Sequence, residues 1–149
     1  MNRVPLLVVG SLNTDILGIG VPSLVGSGEL AFGGDVKIAA GGKARNVAQM
    51  LAAFSDADVR MLGKTGKDPY GLWSVPVEAL RASGVFVDSL IVDEESMPGI
   101  ALIPVDRGGK NQIYVLPGAN GRFLPADVAM ARNQFEDVRS KDGCVVLSL

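Results

Sequence analysis

The sequence predicts an α/β fold: a mostly parallel sheet flanked by helices, with a smaller β flap beside it. Three observations carry this. Short continuous apolar runs alternate with stretches of helical period, the pattern of strand–helix–strand crossovers. Two glycine-broken β segments fit no crossover. The 19 glycines, roughly twice the average share, cluster at the ends of apolar runs rather than forming a linker or a repeat.

The elements follow in order. Leu6–Gly10 is a continuous apolar run ended by glycine and reads as a fully buried strand. Residues 15–20 and 32–39 alternate more and read as half-exposed strands of the flap. Residues 42–54 read as a helix, with Val47, Met50, Leu51 and Phe54 at three- and four-residue steps. Val59–Leu62 is a second core strand. Residues 69–82 read as a helix with Leu72, Val75, Ala79 and Leu80 on one side, Asp68 as N-cap, Pro69 at the first position and Gly84 as its stop. Pro76 falls inside that pattern and is expected to kink or split it. Residues 88–92 read as a third strand. Residues 99–105 and 112–116 flank Asp106-Arg107-Gly108-Gly109-Lys110, a hairpin signal. Residues 125–138 read as a helix with Pro125 in its first turn, and 144–149 as a fourth core strand. Tyr70 and Trp73 read as packing residues, and Cys144 as a small hydrophobe inside its strand.

Composition removes several function classes. The chain has 149 residues, 48% apolar and 20% charged, with net charge −2 and both signs scattered. That leaves no basic stripe for nucleic acid and no polybasic patch for a membrane. Pro5–Gly10 is too short to span a bilayer, no signal-peptide pattern precedes it, and a cytoplasmic location is expected. There is no histidine and a single cysteine. A Ser-His-Asp triad, a His-activated cysteine, a disulfide framework and the usual metal sites are thereby excluded, and no metal ligands are expected. Proton transfer would fall to a carboxylate, lysine, tyrosine or water.

Two constellations remain. Asn13 and Asp15 follow the first strand at alternate positions and face one way if the chain stays extended. A carboxylate accepts two hydroxyl hydrogens and an amide both donates and accepts, which suits a vicinal diol; the alternative is an Asx turn that ends the strand. Gly41-Gly42-Lys43 opens a helix, with a tight turn, free N–H groups, a cation and the buried-looking amide of Asn46 one turn in. Its alternative is an ordinary glycine turn. No Walker loop or dinucleotide fingerprint occurs. Residues 63–71 join strand to helix and read as structural. Asn120, in Pro117-Gly118-Ala119-Asn120-Gly121, reads as a turn residue near the same edge.

The ordered set Gly10-Ser11-Leu12-Asn13-Thr14-Asp15, Gly41-Gly42-Lys43-Ala44-Arg45-Asn46-Val47-Ala48, Gly63–Gly71, Gly99-Ile100-Ala101-Leu102-Ile103 and Pro117-Gly118-Ala119-Asn120 resembles the ribokinase, or PfkB, family of carbohydrate and nucleoside kinases. The set runs along nearly the whole chain and is specific as a set. The resemblance implies a Rossmann-like ribokinase fold of which residues 1–149 form the N-terminal half, with lid segments near 15–40 and 99–117. It implies substrate binding by Asn13, Asp15, Gly41, Gly42, Lys43 and Asn46, and a lid that often makes a homodimer contact. It further implies transfer of the ATP γ-phosphate to a hydroxymethyl group, with ATP and Mg²⁺ as cofactors of a full-length enzyme. Three departures stand out: one extra residue between Ser55 and Gly66, Met97-Pro98 where the family often has Thr-Gly, and no glutamate motif, anion hole or catalytic aspartate. The catalytic base is therefore expected beyond Leu149, with no ATP bound by this chain alone, and Asp15 is not to be reassigned as base. A ribose-like sugar is favoured as substrate. Arg45-Asn46-Val47-Ala48 is also similar to the pseudouridine-kinase branch, which makes a nucleoside the close alternative. If Leu149 is the true C-terminus, the remaining alternative is a non-catalytic carbohydrate-binding or interaction module.

Overall fold

The computed structural model describes residues 3–148. A parallel three-stranded sheet forms the base, in the order β4 (Asp58–Leu62), β1 (Pro5–Gly10), β9 (Cys144–Ser148). β1 is central and covered on both faces, which is why its sequence is apolar without alternation. Val8 faces one way, into a core shared with Leu12, Ala44, Ala48, Met61 and Leu80. Leu7 and Val9 face the other way, onto Leu62 and Val138.

A four-stranded lid sheet springs from the end of β1. Its order is β3 (Asp35–Gly41), β2 (Asn13–Val21), β7 (Gly99–Asp106), β8 (Tyr114–Leu116). β2 runs antiparallel to β3 and parallel to β7, and β8 closes the expected hairpin antiparallel to β7. Asp106 holds that turn by accepting from the N–H groups of Gly108 and Lys110. Against the sequence reading β2 and β7 are longer, β3 is shifted and β8 is shorter, because pairing across strands, not local glycines, sets their ends.

Helix α1 (Lys43–Phe54) packs on β1 and β4. Its buried residues are Ala44, Arg45 and Ala48, while Met50 and Phe54 are 53% and 87% exposed. Val47 and Leu51 pack against the core as expected, but the inner face is centred on the small residues, which let the helix approach the sheet closely. Helix α2 (Ser74–Ala82) starts five residues later than expected. Pro76 neither kinks nor splits it, since it sits in the first turn, where a backbone N–H has no intrahelical partner to lose. Asp68 does not cap α2 itself. Its buried carboxylate accepts from the N–H groups of Tyr70, Leu72 and Trp73 and shapes the turn before the helix. Trp73 packs on the core as expected, but Tyr70 is 79% exposed.

β5 (Lys64–Gly66) and β6 (Ile91–Asp93) form a parallel two-stranded ladder, where the sequence reads 64–66 as part of a strand-to-helix connection and 88–92 as the third strand. The expected helix 125–138 is two helices, α3 (Pro125–Met130) and α4 (Arg132–Ser140), broken at Ala131. Asp127 anchors α3 by accepting from Leu124 N–H, and it pairs with Lys64. β9 is an edge strand among the described residues, and Cys144 on it is exposed rather than packed. Leu149, the last residue of the expected fourth strand, lies outside the described residues. No helix among the described residues is long and apolar enough to cross a membrane.

Candidate functional site

Between the lid and the first turn of α1 lies a cleft of about 460 Å³. The topology builds it. β2 leaves the base sheet two residues after β1, so Asn13 and Asp15 stand at the strand ends of the base and the root of the lid. Both lie inside β2 and point to one face, as alternate strand residues do, which sets the Asx-turn alternative aside. Asn13 is opposite Gly41 on one side and Gly99 on the other; Asp15 is opposite Ala39 and Ala101. The small neighbours are what open the cleft. A Cβ at Gly41 would fall on the Asp15 carboxylate, and one at Gly99 would fall on Asn13 Oδ1 and Asn120 Nδ2.

Gly42 makes the turn from β3 into α1 at φ 98° and ψ 132°, a conformation that disfavours side-chain-bearing residues. It places Lys43 and Asn46 on the cleft wall facing Asp15. Asn46 is exposed, not buried, because the cleft is open on that side. The Arg45 N–H at the helix start is taken by the Ser11 carbonyl, so the helix end offers fewer free donors than its sequence suggests.

Of the expected site residues, Asn13, Asp15, Gly42, Lys43 and Asn46 line this cleft, and Gly41 lies directly beneath Asp15. Ala101, Ile103, Ile113 and Val115 form an apolar wall opposite them. Two further residues shape the site: Asn120, which the sequence reads as a turn residue near this edge, and Arg45, for which it offers no role of its own. Asn120, on a 3₁₀ turn over Gly118–Arg122, is more than a turn residue. Its amide accepts from Leu12 N–H and donates to the Leu12 carbonyl and to Asn13 Oδ1, at 3.1, 3.0 and 2.9 Å. That clamp occupies the oxygen of Asn13 and leaves its N–H₂ for the cleft. Arg45, 7% exposed, sits behind Asn46 and donates to its Oδ1.

Electrostatics centre on Asp15. Burial pushes its carboxyl above the ordinary aspartate value, and the Arg45 guanidinium opposes that rise. The site is therefore a partly desolvated carboxylate with one cation, Arg45, acting on it, a second, Lys43, elsewhere on the cleft wall, and two oriented amides. Such a set accepts hydroxyl hydrogens at Asp15 and donates to oxygens from Asn13, Lys43 and Asn46. No group of three or more His, Cys, Asp or Glu side chains converges to hold a metal ion among the described residues.

Residues 5–147 match the pfkB family carbohydrate kinase profile. The chain is 36% identical over 124 residues to the bifunctional ribokinase/ribose-5-phosphate isomerase A of Fructilactobacillus sanfranciscensis, covering 83% of this chain and 22% of that protein. It is 34% identical to the ribokinase of Schizosaccharomyces pombe, covering 83% of this chain and 39% of that one. Among solved structures, ribokinase of Arabidopsis thaliana complexed with ribose and ATP superposes with a TM-score of 0.75 at 25% identity, over 99% of this chain and 54% of that chain. Ribokinase of Cryptococcus neoformans in complex with ADP gives 0.67 at 31% identity, over 83% and 37%. The chain thus spans less than half the length of these curated relatives.

Proposed function

Because the chain belongs to the pfkB family of carbohydrate kinases, we propose that it supplies the sugar-binding half and lid of an ATP-dependent kinase acting on a hydroxymethyl group of a ribose-like sugar. The observation that carries this reading is the convergence of Asn13, Asp15, Lys43 and Asn46 on one cleft with an apolar wall opposite. A furanose has that amphiphilic character: adjacent hydroxyls on its edge and C–H groups on its faces. Asp15 accepts two neighbouring hydroxyl hydrogens, the amides and Lys43 fix the remaining oxygens, and Ala101, Ile103, Ile113 and Val115 cover the ring. Positioning of this kind is what phosphoryl transfer chiefly asks of the acceptor side.

The described residues do not fit the donor side. They bring together no carboxylate cluster for Mg²⁺, and the sequence has no Walker phosphate loop. We therefore place nucleotide, cation and catalytic base on polypeptide outside these residues, and Asp15 remains a substrate anchor. The lid face opposite Asp15 exposes Val36, Ile38, Tyr114 and Leu116, which supports a second copy packing there; sedimentation velocity reports it.

The test is a coupled ADP-release assay on the polypeptide as its source produces it, with D-ribose, 2-deoxyribose, pseudouridine and uridine as acceptors. Ribose-dependent ADP release is expected, with none from residues 1–149 alone. Greater turnover on pseudouridine would move the substrate to the nucleoside. Sugar binding without any ADP release would leave a non-catalytic binding module.

A further inference from the structure

Arg45 stands inside the fold where a small apolar residue would cost less. It lies on the inner face of α1 between Ala44 and Ala48, both fully buried. Taking a guanidinium out of water costs several kcal/mol unless its donors are matched. The match here is incomplete. One terminal nitrogen donates to the Ala40 carbonyl at 3.3 Å and to Asn46 Oδ1 at 2.9 Å, while Nε is buried with no partner. None of the ion pairs among the described residues includes it. Arg45 is therefore poorly explained as a stabilising contact.

Its chemistry does explain the orientation of its neighbour. A guanidinium has five donors and no acceptor, so the atom of Asn46 that it meets has to be the oxygen. The amide N–H₂ of Asn46 is then turned away from Arg45, and Asn46 lines the cleft. We infer that Arg45 is a positioning residue that locks the Asn46 amide with its N–H₂ presented as a donor to a ligand oxygen beside Asp15. The inference rests on the polyol reading of the cleft and sharpens it. With the lock in place, the ligand has to offer hydroxyl hydrogens to Asp15 and an accepting oxygen to Asn46. Without it the amide turns over freely, and in half its orientations the cleft would present a second acceptor besides the Asp15 carboxylate, whereas a hydroxyl has only one hydrogen to give. The same geometry leaves Asn13 held in the matching sense by Asn120, so the two amides of the site are each fixed from behind by a donor.

A double-mutant cycle tests this through ligand affinity. Calorimetric titration of D-ribose, with pseudouridine as second probe, is carried out on the native polypeptide, on Arg45→Met, on Asn46→Ala and on the double variant. Methionine keeps the buried stem while removing the donors. Asn46→Ala is expected to weaken binding about tenfold, the loss of one good hydrogen bond. Arg45→Met is expected to weaken it roughly three- to tenfold on its own and by less than about twofold in the Asn46→Ala background, since residues acting through one contact are not additive. A merely structural Arg45 would lower the thermal midpoint and weaken binding equally in both backgrounds, and that result, or no effect on affinity at all, overturns the inference while the cleft reading stands. A wild-type polypeptide that binds neither probe removes the cleft reading and the inference together. Should Arg45→Met fail to fold, Arg45→Lys, which keeps the charge but not the planar fork, closes the same cycle with the same criterion.

Discussion

Replacing Asp15 with asparagine is expected to raise the dissociation constant for D-ribose by a hundredfold or more. Asparagine keeps the size and the strand position, so the change isolates charge and hydrogen-bonding sense. The carboxylate accepts two hydroxyl hydrogens; each bond to a charged group is worth about 1.5–3 kcal/mol, and the pair about 3–6 kcal/mol, or roughly two to four powers of ten in affinity. An amide at the same place accepts one and turns a donor toward the other hydroxyl. Stability behaves differently. Burial raises the Asp15 carboxyl above its ordinary value of 3.8, with Arg45 opposing. The folded state then binds its proton more readily than the unfolded one, and the contribution of this group to stability falls as pH rises from the ordinary value through the raised one. At neutral pH the charge is a cost to the fold that ligand binding uses. The asparagine variant is accordingly expected to stay folded, partly because the relieved cost offsets what Arg45 loses with its counter-charge. Ribose affinity of the wild type is expected to drop on acidification at a pH above that of an ordinary aspartate. An asparagine variant that binds ribose as tightly as wild type would show that Asp15 is not the anchor.

Gly42→Ala is expected to destabilise the protein by about 2–6 kcal/mol. Two costs add. A residue with a side chain held at φ 98° is strained by about 1–3 kcal/mol. The added carbon would also stand 2.6 Å from Leu12 Cα and 2.7 Å from the Ser11 carbonyl oxygen, both backbone atoms that cannot swing aside. Overpacking of this kind costs about 1–3 kcal/mol more. The sum is a large share of the roughly 5–15 kcal/mol that holds a domain together. Urea unfolding reads it as a lowered midpoint. The same change moves the start of α1, so Lys43 and Asn46 leave the cleft and ribose affinity falls with stability. An unchanged urea midpoint would contradict the close approach of the β3–α1 turn to the link between β1 and β2.

Much of this was legible in the sequence because it is local. A continuous apolar run ended by glycine marks a strand covered on both faces, and β1 is one. Alternate polar residues at 13 and 15 mark one face of an extended chain, and Gly41-Gly42 mark a turn with no room for a side chain. What was not legible depends on partners far along the chain. Asn120 acts on Leu12 and Asn13 across 108 and 107 residues, and no local pattern signals that. Cys144 and its strand carry the composition of a core strand but occupy an edge, and composition does not count neighbours. Pro76 reads as a break only if the helix begins at residue 69; α2 begins at Ser74, and a proline ring is harmless in a first turn. Arg45 did leave a signal. The buried face of α1 runs through Ala44 and Ala48, so a charge at 45 lies on or beside the inner face of an amphipathic helix. The larger Met50 and Phe54 drew the predicted face away from it.

If the cleft between lid and α1 is the polyol site, amide chemical-shift mapping during a D-ribose titration will show it. The largest saturable shifts are predicted at Asn13, Asp15, Gly42, Lys43 and Asn46, with Ala101 on the facing strand, while Asp88 and Gln134, in the 260 Å³ groove beside α4, stay unmoved. Shifts centred on that groove, or none at the cleft at saturating ribose, would contradict it.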